Sequence, residues 1–182
     1  MTAPRAFSAL CGLILTLSAP WAVARLGETE VQSQTRYGAP VPELIGADEK
    51  PLIEGTKELA YSYQGWRIRV AFLNNVAAKL EYAHLPEAGQ LKQLTDQEIQ
   101  TILEAEKGTF RWREQKPRTG NAGLDALATM FERQWERSDH ATAKLKAKLA
   151  LVIEGREVEA FEKKRAKQGS KGATPKPTVP KF

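Results

Sequence analysis

The chain has 182 residues, with 27 Lys or Arg against 22 Asp or Glu, two His, one Cys and a formal charge of +5. A single cysteine excludes an internal disulfide, and so little imidazole and thiolate argues against a zinc site. The charge is unevenly spread: residues 163–182 hold seven basic side chains and no acid, whereas 25–162 hold 19 basic and 22 acidic ones.

Residues 1–24 read as a secretory signal. Arg5 precedes an apolar run from Ala6 to Leu17, and Ala22-Val23-Ala24 offers small residues at both positions a signal peptidase reads, leaving Arg25 first. The run is too short to span ~30 Å of hydrocarbon, and no other stretch reaches the ~20 apolar residues required, so the mature chain is expected to have no transmembrane segment. Lipid attachment at Cys11 is disfavoured because Leu10, not a small residue, precedes it. The 158 residues after cleavage contain no cysteine, hence no thiol nucleophile, and are enough for one compact domain, expected at 25–168.

A short helix is predicted over 29–37. Thr29 and Gln32 form a capping box, Gly38 supplies the left-handed residue at the helix end, and Pro40 forbids continuation. Ser33 and Tyr37, four apart, would face inward. A Pro-containing link, 41–55, follows. The pattern then changes to period two: Leu59, Tyr61 and Tyr63; then Trp66, Ile68, Val70 and Phe72; then Val76, Ala78, Leu80 and Tyr82, with turns at Gln64-Gly65 and Asn74-Asn75. The expectation is a three-stranded antiparallel meander with one apolar, aromatic face and one half-wet face, helices covering one side only. On the wet side, Arg67, Arg69 and Lys79, beside Glu81, are candidates for a basic partner-binding patch.

The stretch Gly27-x-Thr29-x8-Gly38-x-Pro40, followed by a loop and Val70-x-Phe72-x-Asn74-Asn75 leading into a strand, resembles the SmpA/OmlA (BamE-like) periplasmic domain, which is similar in build to β-lactamase inhibitory proteins. The resemblance covers residues 25–84. It implies a two-layer fold of helices on a sheet, and a role in binding other envelope proteins rather than in catalysis.

A second capping box, Thr95 with Glu98, opens a helix of 96–107 ended by Gly108, with Leu94 and Ile99 as a hydrophobic staple. Ile99, Ile102 and Leu103 define its inner face, and Gln97, Glu104 and Glu106 are expected to face water. Phe110 and Trp112, alternating with Arg111 and Arg113, read as a strand, and Lys116–Gly123 as a loop. The spacing Leu124, Leu127, Phe131, Trp135 predicts a helix ending near Arg133. Residues 141–153 alternate strictly and are read as one or two strands despite their helix-favouring Ala, Leu and Lys. A last helix from about Glu157, with Val158 and Phe161 inward, leads into a tail expected to be disordered from 169 to 182. The fold class is therefore α+β, an antiparallel meander packed on short helices. The order suggests two related α-βββ halves, 25–84 and 94–168.

Little chemistry is visible. His84 and His140 lack further ligands at metal spacing, so neither a metal nor a cofactor is expected. Ser138-Asp139-His140 reads as a turn, since adjacent side chains diverge. Asp96/Glu98 and Glu104/Glu106, two apart on a helix, do not face each other. Gly120-Asn121-Ala122-Gly123 lacks the Lys of a phosphate loop. Trp66, Trp112, Trp135, Tyr61 and Tyr63 fit core packing, the alternative being a platform for glycan or peptide. The cations Lys163, Lys164, Arg165, Lys167, Lys171, Lys176 and Lys181 would suit an anionic envelope surface; export argues against nucleic acid. The expected function is an exported, non-catalytic interaction module whose partners are envelope proteins or an anionic envelope surface. The alternative is a periplasmic hydrolase or glycan-binding protein using scattered carboxylates and aromatics.

Overall fold

The computed structural model describes residues 25–87, 89–115 and 133–171, with side chains to 168. The leader with Ala22 and Ala24, the loop expected at 116–123, residues 124–132 of the helix expected to end near Arg133, and the tail residues Lys176 and Lys181 lie outside the described residues. In chain order the elements are α1 (Glu30–Tyr37), a 3-10 turn (Pro42–Leu44), β1 (Lys57–Tyr63), β2 (Trp66–Leu73), β3 (Val76–His84), α2 (Asp96–Glu106), β4 (Trp112–Gln115), β5 (Gln134–Arg137), β6 (Thr142–Lys146), β7 (Ala150–Glu154) and α3 (Arg156–Lys171).

Local chemistry explains most of these bounds. In α1 the Thr29 hydroxyl accepts from the Gln32 amide and the Gln32 side chain accepts from the Thr29 amide; Thr95 and Glu98 do the same for α2. Gly38, at φ 87° and ψ −163°, ends α1 in a region open in practice to glycine. Gln64-Gly65, Asn74-Asn75 and Ala147-Lys148 all have positive φ, as two-residue hairpin turns between right-twisted strands require.

The strands form one antiparallel seven-stranded sheet in the order β1-β2-β3-β7-β6-β5-β4, an α+β fold. Each end is a meander preceded by a capped helix, and the two meanders meet where β3 pairs with β7, Leu80 opposite Ile153 and Tyr82 opposite Leu151. On one face Tyr61, Ile68, Val70, Leu80, Tyr82, Trp135, Leu145, Leu151 and Ile153 pack against Tyr37 of α1 and Ile99, Ile102 and Leu103 of α2. Burying each large side chain contributes roughly 1.5–3 kcal/mol.

Four expectations need correction. The register slips by one between Ala71 and Phe72, so that Phe72 faces Ala77, and Ala78 turns to the opposite face from Leu80 and Tyr82. That opposite face is not merely wet: Leu52 and Ile53 of the link pack there with Ala71, Leu73, Ala78 and Val158 of α3, so helical cover is two-sided. Trp135 sits in strand β5 and is buried, not at the end of a helix. The backbone of α3 runs through Lys171, past the boundary expected at 168.

Candidate functional site

The expected basic patch is a closed ion network. Arg69 is 3% exposed. Its Nε donates to Glu58 Oε1 at 2.6 Å and its Nη2 to the Lys50 carbonyl at 2.9 Å, while Nη1 lies 3.3 Å from both Glu81 Oε1 and Glu49 Oε1. Arg67 donates to Glu49 at 2.9 Å and to Glu81 at 3.0 Å, and Lys79 pairs with Glu154 at 2.7 Å. Burial works against the charge on Arg69, but the hydrogen bond to Glu58 and the charges of Glu81, Glu58 and Glu49 outweigh it and raise its pKa. Burial likewise opposes the charge of Glu49, and the Gly46 amide with Arg67 overcomes it, holding that carboxyl below its ordinary range. Arg67, Arg69 and Lys79 are thus corrected from contact residues to internal fasteners: two guanidiniums pin the 41–55 link to the strands. The physical reason is that covering the face desolvates these cations, which then require carboxylates beside them.

A second polar group is buried on the other face. Glu106, the last residue of α2, is 1% exposed rather than facing water. Tyr82 donates its hydroxyl to Oε1 at 2.8 Å, and the Leu26 amide donates to Oε2 at 3.3 Å. Burial pushes this carboxyl up to about 7, although Tyr82, Leu26 and the charge of Arg137 pull the other way. Burial and the neighbouring Glu106 charge in turn push the hydroxyls of Tyr82 and Tyr37 upward. Arg137 closes the end of α2: it donates to the Glu106 carbonyl, grips Asp139 through Nε at 2.8 Å and Nη2 at 2.9 Å, and stands 5.2 and 5.4 Å from the Phe110 and Trp112 ring centres. The sequence signal for Glu106 is its spacing, since 99, 103 and 106 follow one helical stripe, although a charged side chain ordinarily favours solvent.

The remaining sequence candidates do not converge. In the turn after β5, Asp139 serves Arg137, Ser138 Oγ accepts from the Arg111 amide at 3.3 Å, and His140 Nδ1 lies 3.0 Å from Glu136. His84 stacks on Trp66 with ring centres 4.2 Å apart, its Nε2 3.1 Å from Glu98. Among the described residues no group of three or more His, Cys, Asp or Glu is placed to hold a metal ion. Tyr61 and Trp135 are core, and Tyr63, Trp66 and Trp112 are half-buried against it, so the rings form no common exposed platform.

Among the described residues, two surface regions bear on binding. A cleft of about 630 Å³ lies between Pro51, Leu52 and Glu54 of the link and Glu162, Arg165, Ala166 and Gln168 of α3. Glu54, 73% exposed at its side chain, pairs with Arg165 at 2.8 Å, the surroundings of a solvated ion pair. On the same helix Lys163 pairs with Glu159 and Lys164 is exposed. The other surface is the strand face that continues the Arg67/Arg69 side of the sheet. Register carries it from Arg69 through Glu81 and Val152 to Lys144, and from Arg67 through Ala83 and Ala150 to Lys146. There Lys144, Lys146 and Arg113 are exposed. No family model, curated protein or solved structure matches the chain. No helix among the described residues is long and apolar enough to cross a membrane.

Proposed function

We propose that the chain is an exported, non-catalytic envelope protein that works by binding another envelope protein of acidic surface. The observation that carries this reading is the division of its charges. The convergent acids Glu49, Glu58 and Glu81 are each tied to Arg67 or Arg69, while Arg113, Lys144 and Lys146 stand exposed on a strand face. Carboxylates tied to guanidiniums in this way are not available as general acid and base, which need contrasting surroundings and access to substrate. Cations at the rim of a rigid face steer association and set specificity.

The test is capture from a cell-envelope extract by residues 25–182, compared with a chain carrying Arg113→Glu, Lys144→Glu and Lys146→Glu. The intact chain should retain a defined acidic protein in a salt-sensitive manner, and the reversed-charge chain should retain at least tenfold less. Equal recovery by both, or recovery of nothing by either, overturns the reading.

A further inference from the structure

The segment leading into α1 is built into the sheet. The Gly27 amide donates to the Ala77 carbonyl at 2.7 Å, the Ala77 amide donates to the Glu28 carbonyl at 2.8 Å, and Thr29 bridges to Val76. One residue earlier, the Leu26 amide points at the buried carboxylate of Glu106. Among the described residues no Lys or Arg side chain donates to that carboxylate. Arg137, from β5, gives its protons to the Glu106 carbonyl and to Asp139, and Arg36, from α1, gives its own to Glu28. The other titratable groups facing the site are Tyr82 of β3, Tyr37 of α1 and Glu28 just before it, whose like charge acts against the carboxylate. The acid is therefore hydrogen-bonded by neutral donors only, with the charge of Arg137 acting on it through space while that guanidinium is engaged elsewhere, and a buried carboxylate without a directly paired cation is unfavourable.

The sequence places a cation within reach. Adjacent backbone nitrogens lie up to ~3.7 Å apart, so the nitrogen of Arg25 falls within about 7 Å of the Glu106 carboxylate. In an unprocessed chain that nitrogen is a neutral amide. Hydrolysis of the Ala24–Arg25 bond consumes one water, releases the leader with a carboxylate on Ala24, and leaves on Arg25 an amine that ordinarily protonates below about pH 8.

We propose that Glu106 is the receptor for the amino terminus generated at Arg25, so that removal of the leader supplies a directly paired cation and tightens the first segment onto the core. The proposal rests on the exported reading above, and deepens it: a cut on the far side of the membrane reports itself to the interior of the fold. The ion pair exists only while the carboxyl is ionised and the amine protonated. Because burial holds Glu106 up to about 7, that window opens near neutral pH and closes in acid.

The test compares residues 25–182 with a free amine, released from a fusion by proteolysis, with the same chain Nα-acetylated. Carboxyl and amine titrations followed by NMR should show Glu106 at least half a unit lower, and the amine at least half a unit above its ordinary value, in the free chain. Acetylation should lower Tm at pH 7.5, leave it unchanged at pH 4, and have no effect in Glu106→Gln. Identical Glu106 titration in the two chains overturns the proposal even if the Gln variant fails to fold. So does an acetylation effect that survives Glu106→Gln. Export is read separately, by recovery of the protein from the envelope and sequencing of its amino terminus: its absence from the envelope removes the exported reading, whereas an exported chain that starts elsewhere than Arg25 overturns the proposal and leaves that reading standing.

Discussion

Replacing Glu106 with Gln, in a chain whose amino terminus is blocked, should reverse sign with pH. The folded carboxyl titrates at about 7 against an ordinary 4.5. A raised pKa means that this group's contribution to stability is complete below the unfolded value and is lost as pH rises through the folded one. The difference of roughly 2.5 units, at ~1.36 kcal/mol each, amounts to about 3 kcal/mol lost between pH 4 and pH 8. Gln cannot ionise and still accepts from Tyr82, but its amide meets the Leu26 N–H donor to donor, at a cost of about 1 kcal/mol or somewhat more. The variant should therefore be about 1 kcal/mol less stable than the parent at pH 4 and about 2 kcal/mol more stable at pH 8, with equality between pH 5 and 6. Urea unfolding at half-unit pH steps measures the gap directly, since the other carboxylates titrate alike in both chains and cancel. A gap independent of pH would refute the claim that burial raises the Glu106 carboxyl.

Two further substitutions probe the frame. Arg69→Met leaves Glu58 and Glu81 without their shared cation and should cost about 3–5 kcal/mol in urea unfolding; a loss below about 1 kcal/mol would mean that the network is dispensable. Gly38→Ala introduces a Cβ with no atom within 4 Å of it, so any penalty comes from the backbone alone. It should nonetheless cost about 1–3 kcal/mol and lower Tm, and an unchanged Tm would contradict the φ of 87° at that position.

What proved legible in the sequence was local. Thr29 with Gln32 and Thr95 with Glu98 announce helix starts because the groups that satisfy each other are three residues apart, and Asn74-Asn75 announces a turn because few residues tolerate two successive positive φ values. The strands of 141–153 were readable despite their composition, since six alternations can be buried on one face of a strand and not on a helix. What stayed hidden depends on distant partners. Arg69 reads as a half-wet strand residue until Leu52 and Ile53 are known to lie over its face, and nothing near Ala77 marks the bulge that turns Ala78 away from Leu80. Trp135 continues a helical spacing from Leu124, and only its ladder with Glu114 and Ala143 makes it a strand residue. The candidate site was the least legible part: an acid at the end of a helix looks solvated unless the Leu26 segment is known to cross it.

The pairing of β3 with β7 sets an order of events for a chain made from its amino end. Until residue 150 has emerged, the backbone edge of β3 that faces away from β2 has no neighbour, and the middle of the sheet is a raw border. A nascent protein in that condition offers a template to any other unfinished strand. Holding the chain unfolded until its last strand is available removes that hazard.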